Sequence, residues 1–96
     1  MSSPSIAFVS VTLHIPHAGS LKDKRRYIKS IKDKLHNQFN ASVAEIDKQD
    51  KWQQAVIGIV MLSSDRVYLE QQYSRIEQML GEYRDVVVSS LQLDWL

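Results

Sequence analysis

Ser5-Ile-Ala-Phe-Val-Ser-Val-Thr-Leu-His-Ile15 is the stretch on which the fold turns. Ala7, Val9, Val11, Leu13 and Ile15 make one apolar row, and Ile6, Phe8, Ser10, Thr12 and His14 make a mixed one. Alternation with period two predicts a strand with one face committed to a core. Pro16 ends it, and Gly19 lies in the following loop. Ser20 has the chemistry of a helix N-cap, with Asp23 three residues on as a short-armed variant of the capping box. Leu21, Ile28, Ile31 and Leu35 recur at helical spacing, and Phe39 lies near the same line. This helix is expected to end between Asn37 and Phe39, with Asn40 as a left-handed stop.

Further along, residues 41–47 alternate weakly and predict a second strand, closed by the polar turn Asp47-Lys-Gln-Asp-Lys51. Residues 52–62 predict a third strand. Ala55, Ile57, Ile59 and Met61 line one side of it, and Val56, Val60 and Leu62 line the other. A strand apolar on both sides is expected at the centre of a sheet. Ser63-Ser-Asp65 can cap a second helix with a stripe of Leu69, Tyr73, Ile76 and Leu80, which Tyr83 can extend, and residues 86–96 predict a fourth strand. Strand, helix, strand, strand, helix, strand, joined by right-handed crossovers, is the ferredoxin-like α+β arrangement: βαββαβ, a four-stranded antiparallel sheet with two helices on one face. The fold hosts many functions and selects none.

The 96 residues suit a single ferredoxin-like domain spanning 1–96. Hydrophobic residues make up 44% and charged residues 24%, which excludes a disordered or fibrous chain. With no cysteine there is no disulfide, thiolate metal site or cysteine nucleophile. The opening residues show no basic segment leading into an apolar one, and the longest apolar run is too short to cross a bilayer, so a cytoplasmic protein without membrane association is expected.

The net charge of +1 hides an asymmetry. Residues 22–34 hold seven bases against two acids, a local +5, while the other residues hold five bases against nine acids, or −4. On a helical wheel Lys22, Arg25, Arg26, Lys29 and Lys32 flank the apolar stripe, with Lys24 at the helix start. Like charges three or four apart repel, and bases in the first turn oppose the helix dipole. A broken local rule points to function, here the binding of RNA phosphates or of an acidic protein patch. The bland alternative is a solvated face bridged to nearby acids.

Other chemistry is thinly signposted. The third strand lacks the aromatic platform of an RNA-recognition motif, and no KH-type Gly-x-x-Gly loop is present. No nucleotide-binding loop or nucleophile motif occurs, so neither a catalytic residue nor a cofactor is expected. His14 and His17, with Glu45, Asp47 and Asp50, could in principle gather a metal, but no ligand spacing supports it and no metal site is expected; a small metal-dependent enzyme is the least favoured function. The hairpin around Trp52 reads either as a recognition loop or, preferred, as a turn in which Asp47 and Asp50 satisfy amides and Trp52 packs down. Because helices cover one sheet face only, Phe8, Val56, Val60 and Leu62 are expected to form a homo-oligomer interface, unless the last strand and Trp95 curl over them.

His14-Ile-Pro16, Ser20-Leu-Lys-Asp-Lys-Arg-Arg26, Lys29-Ser30, Asn37-x-Phe39-Asn40, Ser42-Val-Ala-Glu45, Asp47-x-Gln-Asp50 and Trp52-Gln53 together resemble the YlxP-like family of small bacterial proteins of unknown function. The resemblance covers residues 6–76 and is specific in its ordered motifs; beyond that only the pattern matches. It implies a ferredoxin-like fold and, from gene neighbours in transcription and translation and an occasional ribosome-binding label, a partner in RNA or the ribosome. It carries over no catalytic residue. The family's Leu-Lys-Asp/Glu-Lys-Arg-Arg signature falls on Leu21 to Arg26, inside the basic segment.

Overall fold

The computed structural model describes residues 3–96; Met1 and Ser2, read above for a targeting signal, lie outside them. The elements are β1 (Ser5–His14), α1 (Leu21–Phe39), β2 (Ser42–Asp47), β3 (Gln54–Ser63), α2 (Arg66–Gly81) and β4 (Val87–Trp95). The sheet is antiparallel in the order β2-β3-β1-β4, so the first and third strands are central as their patterns require. Both helices cover the same face, α1 over β2 and α2 over β4, giving the expected ferredoxin-like architecture.

The core is the odd-numbered face of β1, from Ala7 to Leu13, against Ala55, Ile57, Ile59 and Met61 of β3. Ile28, Ile31, Leu35 and Phe39 of α1 and Leu69, Ile76 and Leu80 of α2 close over it. Gln72 is buried in the same α2 stripe, a polar position the apolar pattern passed over. Beside it, the Tyr73 phenol has its pKa raised by burial and then by the Glu77 carboxylate.

The caps form as their side chains allow. Ser20 Oγ accepts the Asp23 N–H at 3.0 Å, and Asp23 Oδ2 accepts the Gly19 N–H at 3.2 Å. Asn40 ends α1 in the left-handed region, at φ 48°. Asp65 Oδ1 accepts the N–H groups of Val67 and Tyr68 at the start of α2.

Three expectations change. The third strand begins at Gln54, two residues late, because Gln53 is used otherwise: its carbonyl accepts the Ile15 N–H, and its side-chain amide donates to the carbonyls of Pro16 and Ala18. Trp95 does not curl over the outer face. It pairs with Ala7 on the helix side, its ring 4.2 Å from the Arg66 guanidinium. Trp52 does not pack down either and is 55% exposed. Among the described residues, no helix is long and apolar enough to cross a membrane.

Candidate functional site

α1 carries the charge, and its position over the β2 edge decides which bases reach water. Ile28, Ile31 and Leu35 point it inward, and one further residue shares that inward line: Lys24, one turn before Ile28. The Lys24 side chain is 2% exposed. Its ammonium donates to the Lys48 carbonyl at 2.6 Å and lies 2.7 Å from Glu45 Oε2. That oxygen has no hydrogen bond of its own, so the contact is one of charge. Lys24 therefore leaves the set of bases expected to meet a ligand: it ties α1 to β2 and to the hairpin.

The hairpin is built to receive it. Asp47 Oδ1 accepts the Lys48 N–H at 2.8 Å, and Lys48 takes a left-handed conformation, φ 63°. The Lys48 carbonyl then accepts from both the Lys51 N–H and the Lys24 ammonium.

The remaining bases divide. Lys22, Arg25, Arg26 and Lys29 are exposed and Lys32 is half-buried. Arg25, Lys29 and Lys32 line a hollow of about 420 Å³ beside β2, with Ile28, Asp33 and Glu45. Arg26 turns to the other flank, into a hollow of about 430 Å³ shared with His17, Asp23, Tyr27, Ser30 and Tyr83. The wheel joined Arg25 and Arg26 in one ridge; the structure sets them on either side of its crest, because β2 stands against one flank and the segment after α2 against the other.

Internal neutralisation is partial. Lys29 meets Asp33 at 2.9 Å one turn on, where both groups are well exposed and the pair is weak. Lys22, Arg25, Arg26 and Lys32 make no ion pair among the described residues. Lys34, counted in the charge but not among the candidates, lies 4.9 Å from the centre of the Tyr83 ring, whose hydroxyl hydrogen-bonds to Ser30. Sequence reasoning missed Tyr27 and Tyr83 as neighbours of Arg26, because periodicity sets Tyr83 in the α2 stripe, whereas α2 ends at Gly81 and Tyr83 turns instead to the flank of α1.

The histidines are dispersed. His14 stands on the uncovered sheet face beside Trp52 and Gln54, His17 lies 4.0 Å from Asp85, and His36 hydrogen-bonds the Ala41 carbonyl. Among the described residues no three His, Asp or Glu side chains are gathered for a metal ion.

The sequence is similar over residues 6–93 to the family described as "Protein of unknown function (DUF503)". The match runs well past residue 76, where the legible motifs end, and takes in α2 and most of β4. The chain is also 34% identical over 90 residues to "Uncharacterized protein YlxP" of Bacillus subtilis (strain 168), an alignment covering 94% of this chain and 98% of that protein. The bases of α1, the buried Lys24 tie and the sheet behind them thus belong to a member of the DUF503, or YlxP-like, family.

Proposed function

We propose that this protein is a non-enzymatic accessory factor that binds RNA, on the ribosome or free, by gripping phosphates with α1. The observation that supports this is the group Lys22, Arg25, Arg26 and Lys32, which reaches solvent over the first three turns of one helix with no internal carboxylate partner among the described residues. Side chains three or four apart on a helix lie about 5–6 Å from one another, which suits successive phosphates of a backbone. The helix N-terminus adds its own partial positive charge to the same end. Such contacts position a strand without reading its sequence.

Binding of a structured RNA, followed by fluorescence anisotropy, tests the reading. Four phosphate contacts give a slope of log K against log salt of about −3 to −4. Replacing Lys22, Arg25 and Arg26 together by Glu is expected to weaken binding at least about 100-fold and to flatten that slope. The same change places acids where the helix dipole favours them, so the melting temperature should hold or rise. Undiminished binding by this variant, or binding indifferent to salt, overturns the proposal. Capture of a partner that survives nuclease treatment would point instead to an acidic protein.

A further inference from the structure

We infer that the uncovered face of the sheet is where two copies of this chain meet, forming a two-fold dimer. The inference is independent of the RNA reading, which concerns the opposite side of the molecule.

Exposed apolar side chains concentrate on this face. Ile46, Val60 and Leu62 are 45%, 37% and 66% exposed. The register places Phe8 beside Val60, Ile6 beside Leu62, and Val56 beside Thr12. Gly58 lies at the centre: a Cβ there would come within 3.1 Å of both Phe8 and Ile46, so its absence lets those two side chains close into one surface. The patch is continuous and belongs mainly to the central strands and β2.

Charge selects the occupant. No Lys or Arg occurs in any of the four strands, so the face offers nothing to a phosphate backbone. The two carboxylates that the register turns this way, Asp47 and Asp94, lie on the edge strands β2 and β4. A two-fold interface apposes a surface with itself, so charge at its centre would repel; here the centre is neutral.

The area is also of the right order. β1 and β3 are ten residues long. At the rise and spacing of a sheet they span about 33 Å, and four strands about 19 Å, a footprint of roughly 600 Å² before side-chain relief. A stable pair of proteins buries about 800 Å² on each partner. Trp52, outside the strands at the His14 end of the face, extends the footprint toward that figure.

Sedimentation and light scattering of the full chain test this. The wild type is expected at twice the monomer mass from low micromolar concentration upward. Leu62→Glu is expected to raise the dissociation constant at least about 100-fold, since a buried charge in an apolar interface has no partner. Leu62 is largely solvated in the monomer, so this variant should keep its circular dichroism spectrum; Ile46→Lys on β2 supplies an independent disruption. Val67→Glu, exposed on α2, should remain dimeric. A wild-type monomer at several hundred micromolar overturns the inference, as does a dimer that persists in both Leu62→Glu and Ile46→Lys.

Discussion

Lys24 and Glu45 form an unequal pair, and the inequality can be measured. Lys24 is sealed from water, whereas about a fifth of the Glu45 side chain remains exposed. Glu45→Ala strands an ammonium in the core with one carbonyl for company, which costs about 3–5 kcal/mol. Lys24→Met leaves a carboxylate that can turn to solvent, and should cost about 1–2 kcal/mol. Urea unfolding midpoints are expected to rank wild type above Lys24→Met and both above Glu45→Ala; the reverse order for the two variants would show that burial is not what sets the cost. The sequence could not expose this role. A lysine among six other bases reads as surface, and only the angle of α1 over β2 turns this one inward while Arg25, one position on, stays wet.

At the scale of elements, the ends of helices were legible and their neighbours were not. Ser20, Asp23 and Asp65 act through hydrogen bonds to amides within four residues, and Asn40 through its own left-handed backbone, so their chemistry is written locally. Strand periodicity likewise marked the buried row of β1, since alternation is a property of the strand itself. The start of β3 failed because Gln53 answers to a loop more than thirty residues earlier. The wheel of α1 failed for the same reason: it gives each base an angle about the axis but not what stands at that angle. For α2 the local reading yields opposed predictions at its two ends. Asp65→Ala removes the acceptor for two amides and should destabilise the protein by about 1 kcal/mol. Gly81→Ala meets no atom within 4 Å at a position without positive φ, and should stabilise by about 0.5–1 kcal/mol by narrowing the unfolded ensemble. Thermal melts of the two variants should therefore move in opposite directions.

At the scale of the whole molecule, the sheet separates two surfaces of different chemistry. Bases crowd the helical side, and the outer side is neutral and apolar at its centre. The two proposed interactions should then be separable. Leu62→Glu is expected to leave the salt slope of RNA binding per protomer unchanged, and the triple Glu variant at Lys22, Arg25 and Arg26 is expected to sediment as the wild type does. Loss of both properties in either variant would mean that the surfaces are coupled. The buried ion pair also has a bearing on how the chain finds its sheet. β2 is short, lies at an edge and carries an irregularity at Ile46, the conditions under which a strand slides along its neighbour. A slip of one residue would turn Glu45 outward and leave the Lys24 ammonium without its counter-charge. The misthreaded sheet is penalised by that isolated charge, so a single lysine in the opening helix guards the alignment of a strand it does not belong to.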